Sequence, residues 1–223
     1  TPPRASERTA WREAFGLLRH PFVLVLWLVA FVDSFVHNCF FNWTGVFLGS
    51  DKVGIASNWI MPVMSIGQVA EILTMLVLGG VLKKLGWRWT MVVGVLGHAA
   101  RFAVFAYLPE HAGLVVAVNI LHGVCYAFFF ATVYIFVDAY LPQDIRSSAQ
   151  GLFNLMILGG GALLANSICP WLINEVYKTG EVIDFRGLFE LPLFTAVGAA
   201  VMLAVAFWPP AKPVNPAAAP AAH

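Results

Sequence analysis

Charge is scarce in this 223-residue sequence. Asp, Glu, Lys and Arg make up 11% of it and apolar residues 60%, where a soluble domain runs at about 25% and 45–50%. Mean hydropathy is +0.78. A single core of this size cannot hide so much apolar surface, because small domains bury only part of what their chain exposes. A soluble globular enzyme is therefore excluded as the working class. Net charge is +1, with no basic block, which argues against nucleic acid as a partner. Cysteine is limited to Cys39, Cys125 and Cys169, all within apolar runs and none at a Cys-x-x-Cys spacing. An odd, apolar set builds neither a disulfide framework nor a zinc site. There is no His-Glu-x-x-His, Gly-x-Ser-x-Gly or Walker pattern, so neither enzyme chemistry nor a metal or cofactor has an anchor.

What is present is a series of long apolar runs. Crossing about 30 Å of hydrocarbon at 1.5 Å per residue takes about 20 residues. Six runs meet that length, over 22–48, 57–79, 87–108, 112–140, 147–173 and 188–208. Turn signals separate them: Gly49-Ser50-Asp51-Lys52, Lys83-Lys84-Leu85-Gly86, Leu108-Pro109-Glu110-His111, Leu141-Pro142-Gln143-Asp144, and the polar stretch from Asn174 to Gly187. A soluble bundle would need a charged face on each helix, and Phe-Val-Leu-Val-Leu-Trp-Leu-Val-Ala-Phe over 22–31 has none. The expected fold is an all-α integral membrane bundle of six transmembrane helices over 21–208. An amphipathic linker helix over 7–20 precedes it, within residues 1–20, and a disordered Pro/Ala-rich tail over 209–223 follows.

Basic residues favour the cytoplasmic side. With the N-terminus inside, Arg4, Arg8, Arg12, Arg19, Lys83, Lys84, Arg88, Arg146 and Lys212 fall inside, and only Lys52, Lys178 and Arg186 outside. Both termini are expected to be cytoplasmic. The first apolar run starts past residue 20 and has no small-residue cleavage site, so no signal peptide is expected. The first residue is Thr1 rather than Met, and the chain is expected to be part of something longer. Asn42-Trp43-Thr44 matches a glycosylation pattern but falls inside a membrane run.

Ionisable side chains inside a bilayer are costly and mark function. Asp33 and His37 lie in the first run, Glu71 in the second, His98 and Arg101 in the third and His122 in the fourth. From the cytoplasmic ends, Asp33 is roughly 16 Å deep, Glu71 roughly 12 Å and Arg101 roughly 21 Å. Arg101 stays charged and neutralises one carboxylate, with Asp33 the nearer in depth. One acid is left over, and a carboxylate without a counter-charge in apolar surroundings takes up a proton rather than remain an unsolvated anion. Asp33 and Glu71 are thus the candidates for proton coupling, and Asp33–Arg101 for a structural ion pair. Gln68 and Glu71, three apart, share one helix face. The aromatic groups Phe40-Phe41-Trp43 and Tyr126-Phe128-Phe129-Phe130 are core or lipid contacts, or a stacking wall for a planar ring. Gly79-Gly80 and Gly159-Gly160-Gly161 follow no strand, and read as close-packing or bending sites.

Two loops carry a family resemblance. Gly79-Gly80-Val81-Leu82-Lys83-Lys84-Leu85-Gly86-Trp87-Arg88 resembles the loop signature of the major facilitator superfamily, with Lys83 in place of its acid. Pro142-x-x-x-Arg146-x-x-Ala149-Gln150-Gly151, followed by Gly159 and Gly161, is similar to the superfamily's loop between the fourth and fifth helices of a half. The resemblance implies the C-terminal half of a twelve-helix transporter, built as a 3+3 inverted repeat over 22–108 and 112–208, with an N-terminal six-helix half as its partner. Within the superfamily, Gly67-Gln68-Val69-Ala70-Glu71 with flanking methionines resembles the bacterial nucleoside:proton symporters. That resemblance implies substrate contacts by Gln68, Glu71, Asn38, Phe41, His122 and Tyr126. It also implies a cytoplasmic gate of Lys83, Lys84, Arg88, Asp138 and Arg146. Where that family has an aspartate after Tyr126, this chain has Ala127. The expected activity is proton-coupled nucleoside uptake. A permease for a sugar or other polyol, a membrane enzyme, and a sensor or scaffold derived from a transporter stay open as alternatives.

Overall fold

The computed structural model describes residues 15–141 and 143–210. Most of the expected amphipathic helix over 7–20, and the tail from 211 on, lie outside the described residues. Of the former, Leu17–Arg19 form one 3-10 turn.

Five continuous helical spans are long and apolar enough to cross a membrane: α1 (Pro21–Gly49), α2 (Ser57–Tyr107), α3 (Ala112–Tyr140), α4 (Ile145–Val176) and α5 (Phe185–Ala206). Pro21 opens α1 at a first-turn position, where a missing N–H costs nothing. The 51-residue α2 holds two of the expected runs. Its backbone leaves helical geometry at Gly86 (φ 70°, ψ 175°), a left-handed conformation open to glycine without steric cost, so helical stretches over 57–85 and 87–107 meet there. Among the described residues the only strands are β1 (Lys178–Thr179) and β2 (Val182–Ile183), an antiparallel hairpin between α4 and α5. Asp184 caps α5, accepting from the Gly187 N–H at 3.1 Å.

The spans form one bundle, in which α2 packs chiefly against α5 and α3, and α1 against α4 and α5. Phe47 of α1, Phe102 and Phe105 of α2 and Phe185 and Phe189 of α5 interlock with ring centroids 4.9–6.2 Å apart. Glycines let helices approach elsewhere. A Cβ on Gly123 of α3 would fall within 3 Å of the Ala70 and Glu71 backbone, and one on Gly161 of α4 within 3 Å of Ser34. A Cβ on Gly79 or Gly80 would meet nothing within 4 Å among the described residues, so neither serves packing within this bundle.

Both ends of the described chain lie at the end of the bundle that carries the two recognised loops. Phe22 meets Phe136, which meets Trp87, Tyr140 and Phe207, and Arg88 stacks on Trp208 at 3.9 Å.

Helical geometry departs from the regular α form in the spans that matter most for the site. Tyr126–Ala131 in α3 and Leu155–Gly160 and Leu172–Val176 in α4 are π-helical. The Thr132 hydroxyl donates to the Ala127 carbonyl at 3.1 Å, five residues back, as a widened turn allows. Such turns gather at functional sites.

Candidate functional site

A cleft of about 200 Å³ opens between α1, α3 and α4, lined on α1 by Ser34, His37, Asn38 and Phe41. Its α3 wall is Tyr126, Phe130 and Tyr134, spaced four apart on one helix face, and its α4 wall is Ile157, Leu158 and Ala162. The first two π turns supply Tyr126 and Phe130 on one wall and Ile157 and Leu158 on the other. An extra residue in a turn rotates everything after it, so these walls follow from a backbone feature without a sequence signature.

Hydrogen bonds hold the walls. The Ser34 hydroxyl donates to the Ile157 carbonyl, and the Tyr134 hydroxyl to the Asn154 amide oxygen. Asn38 donates to the Ser34 carbonyl at 2.8 Å. Asn42 donates to the Asn38 carbonyl at 3.0 Å and to Asn166 Oδ1 at 2.9 Å, tying α1 to α4. The cleft is thus aromatic on α3 and amide- and imidazole-bearing on α1, a mixture that suits a planar, hydrogen-bonding ligand.

Behind the cleft lies a buried polar layer. His37 stacks on His122 with centroids 4.9 Å apart and planes 29° apart, and sits edge-on to Phe41 and Phe130, each 5.2 Å away. Arg101 Nη1 is 3.1 Å from His122 Nδ1 and Nη2 is 2.9 Å from His98 Nδ1. The guanidinium carbon lies 3.9 Å from the Phe40 ring centroid, a cation–π contact. His98 Nε2 faces Asp33 Oδ2 at 3.6 Å. Asp33, His98 and Arg101 are fully buried, and neither Asp33 oxygen accepts a hydrogen bond among the described residues. The ion pair expected between Asp33 and Arg101 is therefore not a direct contact. His98, one turn before Arg101, occupies the space between them.

The sequence-predicted residues divide into three groups. Asn38, Phe41 and Tyr126 line the cleft, and His122 stands one layer behind it. Gln68 and Glu71 lie on α2, outside the cleft lining. Gln68 is exposed and Glu71 half-buried, with its backbone packed close against Gly123 of α3. The gate residues lie at the loop end: Arg146 Nη1 bonds Asp138 Oδ1 at 2.8 Å, Arg88 stacks on Trp208, and Lys83 and Lys84 are exposed. Sequence reasoning left Ser34 and Tyr134 out of the site. Tyr134 carried a signal, since Tyr126, Phe130 and Tyr134 repeat at the helical spacing of four.

The family described as "Nucleoside H+ symporter" matches residues 2–212. The chain is 30% identical over 180 residues to the nucleoside permease NupG of Escherichia coli, covering 79% of this chain and 40% of that one. It is 30% identical over 148 residues to the E. coli xanthosine permease, covering 65% of this chain and 34% of that one. Two crystal structures of the nucleoside transporter NupG superpose on it. One has a TM-score of 0.79 at 24% identity, over 93% of this chain and 54% of that one. The other has a TM-score of 0.74 at 25% identity, over 87% and 50%. The chain spans about two fifths of the length of the curated permease and about half of the solved chains, and its bundle resembles half of that transporter fold.

Proposed function

The chain belongs to the nucleoside H+ symporter family, and from that premise we propose that it forms the C-terminal half of a secondary transporter that carries nucleosides with protons across the bacterial inner membrane. Counting the two stretches of α2 on either side of Gly86 separately gives six spans, hence a 3+3 repeat over 22–108 and 112–208. The two termini and both loops then face the cytoplasm, in keeping with the distribution of basic residues.

The observation that carries the reading is the cleft lined by Asn38, Phe41 and Tyr126, with the Glu71 backbone packed close against Gly123 of the same α3 span. The α2 and α4 faces are the least covered in the bundle, and an N-terminal half seated on them would close the cleft and bring Gln68 and Glu71 to the substrate. Phe41 and Tyr126 would flank the nucleobase, while Asn38, Gln68 and Glu71 hydrogen-bond the ribose, with His122 supporting them from behind. Rocking of the two halves about this site would expose it to each side in turn. The loop-end charges Lys83, Lys84, Arg88, Asp138 and Arg146 would latch the cytoplasmic side. Glu71 and Asp33 are the two acids that can carry the proton.

The test is uptake of radiolabelled uridine and adenosine by the protein carrying its N-terminal half. Asn38→Ala and Gln68→Ala should each raise the Kd roughly 5- to 150-fold, from the ~1–3 kcal/mol of a lost partner to a buried polar group. Unchanged affinity in both variants would remove the ribose assignment.

A further inference from the structure

The buried layer behind the cleft has a property that fixes where a proton can sit. Arginine only donates hydrogen bonds. Arg101 bonds the Nδ1 atoms of both His98 and His122, at 2.9 and 3.1 Å, so both Nδ1 atoms must be acceptors and both rings carry their proton on Nε2. A second proton on either ring would break its bond to Arg101 and set two cations face to face in a site closed to water. The two histidines are thereby locked as neutral rings of known tautomer. His98 then presents its Nε2–H to Asp33 Oδ2 across 3.6 Å. That gap is too long for a hydrogen bond, and it leaves both carboxylate oxygens unpartnered among the described residues.

We propose that Asp33 is the proton-binding carboxylate of this half, and that the chain His98–Arg101–His122–His37 carries its charge state to the cleft. This rests on the transporter reading and deepens it, assigning the proton to Asp33 and leaving Glu71 to the substrate. Asp33 is faced by His98 from α2, with Arg101 behind that ring and the Cys125 thiol of α3 packed beside Gly97 on the same stretch of α2. On its own helix the next titratable group is His37, one turn on, whose Nδ1 is buried and has no hydrogen-bond partner among the described residues. From α4, the neighbour is the uncharged Ile157 carbonyl, held by Ser34.

A solvated proton, reaching the layer when rocking of the two halves opens it to solvent, adds to a carboxylate oxygen of Asp33 to give a carboxylic acid, and the water that carried it stays behind. The set of Arg101 and Asp33 changes from net zero to net positive. Asp33 then no longer attracts the His98 N–H, and Arg101 loses its nearby anion among the described residues. His98, Arg101 and His122 are joined end to end, so His122 shifts when this attraction is lost. His37, stacked on His122 and lining the cleft, receives that shift. Substrate contact with His37 acts back along the same chain, because coupling between two sites is reciprocal. In this arrangement Asp33 serves as the second acid that Ala127 does not provide.

The test is infrared difference spectroscopy of the purified full-length protein in liposomes between pH 5 and 9. A protonated-carboxyl band should titrate in the wild type and persist in Glu71→Gln. It should be absent from an Asp33→Asn, Arg101→Gln double variant, which removes the carboxylate without stranding the buried cation. His98→Leu should shift the midpoint by roughly one pH unit or more. Adding uridine should perturb the band in the wild type but not in His37→Phe. A band that survives in the double variant, or a midpoint that ignores His98, overturns the proposal. A protein with the Asp33 band that binds no nucleoside contradicts the substrate reading and leaves the proton site standing.

Discussion

Asp33 and Arg101 are held apart by one imidazole, with His98 Nδ1 2.9 Å from the guanidinium and Nε2 3.6 Å from the carboxylate. The three side chains are fully buried, so the set behaves as one electrostatic unit spanning α1 and α2. Removing one charge leaves the other buried without compensation, at a cost of about 3–5 kcal/mol. Asp33→Asn should therefore lower thermal stability and membrane expression, and adding Arg101→Gln should recover most of the loss. Fluorescence-detected size-exclusion chromatography after heating reads both. Equal stability of the single and double variants would separate the two charges.

The α2–α3 seam depends on glycine. Gly123→Val would drive side-chain atoms into the Ala70–Glu71 backbone and should cost about 1–3 kcal/mol as an overpacked contact, with Glu71 displaced and uptake reduced. Gly79→Ala, where the added Cβ meets nothing within 4 Å among the described residues, should be neutral or stabilising by about 0.5–1 kcal/mol from helix propensity. Parallel melting curves of the two variants check the contrast. A tolerated Gly123→Val would mean that the helices can part freely.

The Arg146–Asp138 pair is partly exposed, and such pairs contribute about 0–1 kcal/mol to stability. Asp138→Asn should therefore leave the melting temperature nearly unchanged while slowing transport turnover, if the pair latches the loop end. Initial uptake rates at saturating substrate, set against Kd from equilibrium binding, separate the two effects. A change in Kd alone, with turnover intact, would assign the pair to binding.

Much of this architecture can be read from hydropathy and turns. Lys83-Lys84-Leu85-Gly86 marked a break, and the backbone turns at Gly86 inside one continuous helical span, so sequence separated two runs where hydrogen bonding joins them. The polar residues on α1, α2 and α3 were visible as residues in the wrong solvent. Depth arithmetic brought Asp33 and Arg101 to similar levels but fixes no direction around the helix axis, which is why it missed the interposed His98. The His98–Arg101 spacing of three already places both on one face. The π turns at Tyr126–Ala131 and Leu155–Gly160 change that facing for the residues after them. Neither has a compositional mark, so the α4 wall became visible only in the assembled bundle, whereas Tyr134 was already in register with Tyr126 and Phe130 at a spacing of four.

Coupled transport is read out by accumulation of radiolabelled nucleoside in membrane vesicles holding the full-length protein under an inwardly directed proton gradient. Uridine or adenosine should be concentrated above the external level. That accumulation should collapse to equilibration when a proton ionophore is added, and Glu71→Ala should weaken uptake at low substrate. Nucleoside that only equilibrates across the membrane, with or without the gradient, would contradict coupled transport.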